Sequence, residues 1–400
     1  MSNQKVLIIG GGVAGISAIV GLRKVNKDVE ITLVEPKEYM EISWGSYRMP
    51  FDEKVAKKAL CPLDKPNGKD VGFCSKHDVI HVKSVVTKLS KDEAVLENGD
   101  SLEYDVCVVA TGATTKWDGM GKGLSSTANS TTSTIEGRLE SAKKEGERIL
   151  NSGSVCVVGG GLIGAELAGE IMYHAKEANK DMTVTLVHSG GRLCPEVSEK
   201  ASAMVQKQLK ENSVNVILKE RVKVEEKPLS KDKKYYLESS GKEIDANEII
   251  LTVGILPSND FLTAGEDFKS CINENGWVDT DEFFRVKYSE GKLFSIGDCC
   301  TTMPNAGKDI LENVATVGQN INATLEKMAK GESVDMSNID NLKEFVLAPS
   351  VTAISTNPKN GVFDSPIMTT SIFFPWIKNK TLFFFQAYWK LGVTSVYHTR

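Results

Sequence analysis

Residues 5–35, KVLIIGGGVAGISAIVGLRKVNKDVEITLVE, constrain the fold more than any other stretch of the chain. The apolar, largely β-branched run 6–9 reads as a strand, 16–22 as a helix and 29–34 as a second strand. Between the first strand and the helix stand Gly10, Gly12 and Gly15 in the pattern G-x-G-x-x-G, and Glu35 lies 20 residues beyond Gly15. The first glycine permits the tight turn, the second lets a pyrophosphate approach the backbone, and the third lets helix and strand pack closely. An acid at that distance suits a ribose hydroxyl, and the helix N-terminus offers free N–H groups and a positive dipole end to phosphates. A lone glycine motif is weak, because glycine turns are common. Strand, helix and acid together favour dinucleotide binding over a structural turn.

The same grammar returns 149 residues later. Residues 155–170, VCVVGGGLIGAELAGE, carry Gly159, Gly161 and Gly164 between a strand and a helix, with 184–187 as the following strand. Two such units are far more specific than one. Two nucleotides held face to face imply electron transfer between them, and this reading is favoured over a duplicated scaffold without ligands.

The intervening and following segments supply the rest of an α/β chain. After Glu35 comes the irregular aromatic stretch PKEYMEISWGSYRMPF. Strand patterns follow at 79–86, 93–96 and 106–110, the last ending in Thr111-Gly112, and 113–134 reads as a Gly/Ser/Thr-rich loop. Residues 135–150 favour helix. Residues 214–218 and 235–237 suggest a small sheet, 248–253 a buried strand, and GILP a turn at its end. Residues 293–296 form a strand ending in Gly297-Asp298. Ile310, Val314, Val317, Ile321, Leu325 and Met328 then recur at helical spacing, with Gly331 as the stop.

At 400 residues the chain has room for two or three domains. Its net charge of −5 provides no basic field, which argues against a nucleic-acid partner. No apolar run approaches ~20 residues, so no transmembrane helix is expected. The first strand begins near Lys5, so no signal or transit peptide is expected, and Ser2 lacks the glycine of a myristoylation site. A cytoplasmic location is expected. The eight cysteines form no C-x-x-C and do not cluster with histidines along the sequence, so no metal site is expected. Cys107 and Cys156 fall inside apolar strands, and a reducing compartment is the simpler reading.

Taken in order, GGGVAG, VVATGA, VVGGGLIGAELAGE, LTVGILPS and FSIGDC resemble the pyridine nucleotide-disulfide oxidoreductase flavoproteins over roughly residues 4–330. TLVHSG, Arg48 and the KNKTLFF tail are most similar to the apoptosis-inducing-factor-like and ferroptosis-suppressor-like branch, with type II NADH dehydrogenases as cousins. The resemblance implies two Rossmann-like domains and a smaller α+β C-terminal interface domain. FAD would occupy 1–134 with 255–333, NADH or NADPH 135–254, and the interface domain 334–400. It implies FAD contacts at Gly10, Gly11, Gly12, Ala14 and Gly15, with Glu35 on the adenosine ribose. Arg48 would sit at the flavin side, the Val82 backbone at adenine, and Thr111 and Gly112 under the cofactor. Asp298 would bond a ribitol hydroxyl, with the next helix aimed at the flavin pyrimidine edge and Asn313 to Ala315 near it. On the second unit Gly159, Gly161 and Gly164 would hold NAD(P)H. Glu166 matches a family acid beside the nicotinamide–flavin stack; a solvated helix-face glutamate is the equal alternative.

Three departures narrow the chemistry. Residues 40–50 lack the cysteine pair of the glutathione-reductase type, and the thioredoxin-reductase C-x-x-C is also absent. Cys299-Cys300 read as two ordinary buried thiols, because a vicinal disulfide is strained. Electrons would then leave the flavin directly, to a quinone-like acceptor, with Gln319 a candidate on the quinone side. A protein electron carrier and an NAD(P)H-sensing interaction protein are the alternatives. Second, His188 stands where Glu35 stands in the first unit, so no carboxylate repels a 2′-phosphate. His188 or Arg192 would contact one, and NADPH should be tolerated without excluding NADH. Third, the tail combines Phe373, Phe374, Trp376, Phe383, Phe384, Phe385, Tyr388 and Trp389 with Lys378, Lys380 and Lys390. One reading is a peripheral membrane contact. Pro375 and Asn379-Lys380 favour the other, a hairpin and helix packed on the flavin domain.

Overall fold

The computed structural model describes residues 4–64, 72–115, 122–123, 132–225, 234–302, 307–372 and 374–396. Two five-stranded parallel sheets dominate it. The first runs Leu293–Ser295, Val106–Val109, Lys5–Ile9, Glu30–Val34, Val79–Val82. The second runs Lys122–Gly123, Glu248–Leu251, Ser154–Val158, Thr183–His188, Asn215–Leu218. Their central strands are buried on both faces, which explains why they read as continuous apolar runs rather than alternating ones.

The two units are built alike. Helix Val13–Val25 connects the first pair of strands, and helix Leu162–Glu177 the second. Ile9 pairs with Val34 and Val158 with Val187, so each glycine turn leaves its sheet from the same register. Helix Val314–Ala329 lies across helix Val13–Val25 at a point of backbone contact. A Cβ on Gly21 would fall 1.9 Å from the Val314 oxygen, and one on Gly318 would fall 2.0 Å from the Gly21 carbonyl carbon. Only glycine at both positions permits that approach.

The chain crosses between the units on two strands. Ala113–Thr115 and Ile255–Pro257 pair antiparallel. The expected turn at GILP is therefore a strand, and the start of the expected 113–134 loop is its partner; most of that loop lies outside the described residues. Residues 214–218 also differ from expectation: they extend the second sheet, while Val222–Glu225 and Lys234–Leu237 make a separate hairpin. The 79–86 pattern splits, because Val79–Val82 joins the first sheet and Val86–Leu89 a three-stranded antiparallel sheet. The long helical pattern breaks at Asn313 into Gly307–Glu312 and Val314–Ala329.

The C-terminal region is a meander, Thr352–Ser355, Gly361–Ser365 and Met368–Thr370, followed by helices Phe374–Thr381 and Phe384–Leu391. The hairpin expected in the tail is not formed. Pro375 sits in a first helical turn, where its missing N–H costs nothing, and Asn379-Lys380 lie inside that helix. The turn comes instead at Leu382 and Phe383, whose φ angles are 46° and 55°. Phe373 lies outside the described residues.

Candidate functional site

The two glycine turns are entered by the same backbone hydrogen bond and closed by the same helix approach. The Gly10 N–H donates to the Val34 carbonyl at 2.9 Å, and the Gly159 N–H to Val187 at 2.8 Å. Gly10 and Gly159 have φ of 103° and 114°, the region that side chains avoid. A Cβ on Gly15 would lie 1.9 Å from the Gly10 oxygen, and one on Gly164 would lie 1.8 Å from the Gly159 oxygen. At Gly12 a Cβ would meet nothing within 4 Å, so the middle of the first turn faces open space.

In the first unit the Gly11 N–H donates to Glu35 Oε2 at 2.8 Å, and the Lys37 N–H to Oε1 at 3.0 Å. The carboxylate is buried and clamped over the turn, with Lys37 Nζ 3.3 Å away. In the second unit the Gly160 N–H donates to His188 Nδ1 at 3.1 Å. His188 thus occupies the place of Glu35 in geometry as well as in sequence. Burial pushes its imidazole below its ordinary range, with Glu196 acting in the opposite sense, in keeping with Nδ1 as the acceptor. Arg192 is committed locally. Its guanidinium donates to the carbonyls of Val197 and Pro195, each at 2.8 Å, and to Cys194 at 3.4 Å.

The strands of the first sheet bring further residues to the first turn. A Cβ on Gly297 would lie 2.8 Å from Ala14 Cβ, so the turn carrying Asp298 abuts the first turn of helix Val13–Val25. Burial raises the Asp298 carboxyl above its ordinary range, and no side-chain partner among the described residues offsets that cost. A desolvated carboxylate beside an open glycine turn fits a hydroxyl-bearing ligand such as the ribitol of FAD. Thr111 Oγ1 donates to Asn259 Oδ1 at 3.2 Å, and the Gly112 carbonyl accepts from Ser258 N. The Val82 carbonyl is already used by Glu35 N at 3.1 Å.

Glu166 and Arg48 belong to a buried polar hub that sequence reasoning did not assemble. Glu166 is not a solvated helix-face residue: it pairs with Lys378 and accepts from Ser355 N at 2.9 Å. One turn along the same helix, Glu170 Oε1 accepts from Arg48 Nε at 2.9 Å and Nη2 at 2.6 Å. Arg48 also donates to Ser355 Oγ and the Asn379 carbonyl. Burial alone would lower the Arg48 guanidinium; Tyr47 and Glu170 more than offset this and raise it. Tyr47 is fully buried in the same cluster, its phenol raised by burial and then by Glu166. The hub joins the segment after Glu35, the second glycine helix and the C-terminal helix. Two carboxylates four residues apart in the apolar helix LIGAELAGEI were the signal for it. Gln319 is exposed between Gly318 and Asn320, and among the described residues no hydrogen bond links it to this hub.

All eight cysteines are free and buried. Cys299 and Cys300 donate to different carbonyls, Cys299 to Val109 and Ile296 and Cys300 to Gly297.

Residues 4–334 match the family model for pyridine nucleotide-disulphide oxidoreductases. The chain belongs to that family. It is 28% identical over 403 residues to apoptosis-inducing factor homolog B of Dictyostelium discoideum, covering 95% of each chain. It is 28% identical over 312 residues to ferroptosis suppressor protein 1 of Mus musculus, covering 74% of each. The fold is shared with a sulfide:quinone oxidoreductase of Aquifex aeolicus, at a TM-score of 0.71 and 17% identity over 97% of this chain and 91% of that one. Membership makes the chain a pyridine-nucleotide-dependent flavin oxidoreductase using FAD and NAD(P)H.

The His188 geometry carries a direct prediction. His188→Glu should accept the Gly160 N–H as Glu35 accepts Gly11, hold a ribose hydroxyl and repel a 2′-phosphate. The ratio of kcat/KM for NADH over NADPH should rise by roughly tenfold or more, the scale of one charge-assisted hydrogen bond. An unchanged ratio would place the nicotinamide nucleotide elsewhere.

Proposed function

We propose that the chain oxidises NAD(P)H and reduces a quinone-class acceptor, with FAD on the first turn and NAD(P)H on the second. The boundaries proposed are 1–134 with 255–333 for FAD, 135–254 for NAD(P)H and 334–400 for the interface domain. When bound, FAD supplies the two-electron relay between hydride donor and acceptor. The observation that carries the acceptor class is the segment after Glu35. Residues 40–50, the segment where the resemblance would place a redox cysteine pair, hold no cysteine, and their Tyr47 and Arg48 pack into a buried ion-pair hub. No thiol relay stands between cofactor and acceptor. The fold shared with a sulfide:quinone oxidoreductase supports the same class.

The chain's own residues position and exclude water rather than move protons. Glu35 and Asp298 would anchor the two sugar-like portions of FAD. Glu166, already paired with Lys378, would act on the nicotinamide–flavin stack as a fixed dipole, not as a general acid. Gln319 remains the candidate on the acceptor side. The test is anaerobic reduction of the yellow protein by NADH and by NADPH, then reoxidation by quinones, ferricyanide and oxygen. Quinones should be the fastest two-electron acceptors. Equal, slow turnover with all three would remove the quinone reading.

A membrane source for the quinone is supported by the C-terminal surface. Ile367, Ile372 and Trp389 are 94%, 76% and 82% exposed, with Trp376 and Phe385 beside them in sequence and also exposed. Lys380 lies over the Trp376 ring at 4.3 Å, an interfacial pairing of cation and aromatic. Lys378 and Lys390 do not contribute, since they pair with Glu166 and Glu312. Among the described residues no helix is long and apolar enough to cross a membrane. The protein should float with liposomes, and Trp389→Ser should weaken that binding severalfold. Wild-type protein that stays at the bottom of the gradient would exclude this contact.

A further inference from the structure

Three potential metal ligands from three different elements, all within residues 64–81, meet beside the Glu35 strand. Asp64 follows strand Leu60–Pro62, Cys74 lies on helix Phe73–Lys76, and His81 on strand Val79–Val82. One ligand atom from each lies within 4.8 Å of the others. The sequence reading does not group these three residues; the fold brings their ligand atoms together. Pairing of Val79–Val82 with Glu30–Val34 is what brings His81 to the place.

The hydrogen bonding of His81 is the second observation. Its Nε2 lies 2.8 Å from the Glu35 carbonyl, which can only accept. That bond commits an Nε2 proton, and Nδ1 lies 2.9 Å from Asp64 Oδ1, an ion pair when the ring is doubly protonated and a facing pair of acceptors when it is neutral. Two acceptors at that distance repel unless a proton or a metal cation lies at them. A backbone carbonyl holding the far nitrogen of a histidine is also the usual support of a metal-bound imidazole. The His81 side chain is 3% exposed and Asp64 34%, so one side of the cluster opens to solvent.

We propose that Asp64, Cys74 and His81 form a binding site for Zn2+ or a cation of similar softness. A thiolate, an imidazole and a carboxylate suit zinc, whereas calcium and magnesium prefer all-oxygen sets. Zinc bonds of ~2.0–2.3 Å place tetrahedral ligands roughly 3–4 Å apart, which small side-chain rotations reach from the present spacing. The three ligands leave a fourth position for water. Binding forms the zinc–sulfur bond and releases the Cys74 thiol proton to solvent, with no change of oxidation state. Lys83 sets the affinity: its ammonium lies 2.7 Å from Asp64 Oδ2 and competes for the carboxylate. Because His81 grips the Glu35 carbonyl, an occupied site also stiffens the strand end that carries the ribose anchor.

The test uses the flavin-loaded protein, stripped with a chelator and titrated with Zn2+ alone against a chromophoric competitor. One equivalent should bind. Cys74→Ala and His81→Gln should each weaken binding at least tenfold, and Lys83→Gln, a half-exposed position, should tighten it. Co2+ in place of Zn2+ should give a thiolate charge-transfer band that Cys74→Ala abolishes. Absence of stoichiometric binding, or an affinity indifferent to both Cys74→Ala and Lys83→Gln, would overturn the proposal. The Lys83 variant leaves all three ligands in place, so a gain there is independent of any folding defect in the ligand variants.

Discussion

Glu35→Ala should emerge from purification with much less flavin than the wild type. The buried Glu35 carboxylate is held by the Gly11 and Lys37 N–H groups over the open face of the first glycine turn. Alanine removes the acceptor proposed for the adenosine ribose and leaves the Gly11 N–H without its side-chain partner. A hydrogen bond to a charged group contributes about 1.5–3 kcal/mol, so FAD affinity should fall roughly ten- to a hundredfold for each hydrogen bond to the ribose that disappears. Flavin content by the visible band after desalting, and FAD affinity of the apoprotein, measure it. Thermal unfolding of the apoprotein separates this loss from general destabilisation. Unchanged flavin content and affinity would argue that the ribose binds elsewhere.

Glu170→Ala is expected to be the most destabilising single change at the hub. Arg48 is buried, and Glu170 is the carboxylate that both its Nε and Nη2 contact. Removing one partner of a buried pair leaves an uncompensated charge in low dielectric, which costs about 3–5 kcal/mol. Exposed pairs such as Lys144 with Glu140 lack that penalty, so Glu140→Ala should barely move the unfolding midpoint. Denaturant titration of both variants tests the contrast. Equal midpoints would mean that the hub relaxes to admit water around Arg48.

The place of Glu35 over the first turn is legible in sequence because it depends on local spacing: a strand, a turn, a helix and a second strand fix where the acid must fall. The same holds for Gly10 and Gly15, for the second unit, and for His188 as the counterpart of Glu35. Asp298 was visible because a buried strand running into Gly-Asp delivers the acid to the end of the sheet. The hub was not visible, although Glu166 and Glu170 share one helix face. Their partners come from positions 48, 355, 378 and 379, and no local pattern relates those distances. Asp64, Cys74 and His81 lie close in sequence, but they sit after a strand, on a helix and on another strand, and only the fold turns their ligand atoms toward one another.

Ile255–Pro257 looked like a turn because Gly254 precedes it and Pro257 ends it; pairing with Ala113–Thr115 supplied a strand partner that propensity does not encode. The tail looked like a hairpin because Pro375 and Asn379-Lys380 are turn formers. A first-turn proline is compatible with helix, and Lys378 reaching Glu166 helps hold that helix against the second glycine unit.

What the amino-acid sequence determined by itself were the features with short-range physics: two strand–turn–helix cradles, their order, the acid on the first and its replacement by His188 on the second, and the missing cysteine pair. Tertiary structure alone decided which distant charges neutralise one another inside the protein. Burial makes an unpaired charge costly, so the partners of Arg48, Glu166 and Glu170 are chosen by proximity in the packed molecule, a quantity that no sequence spacing carries.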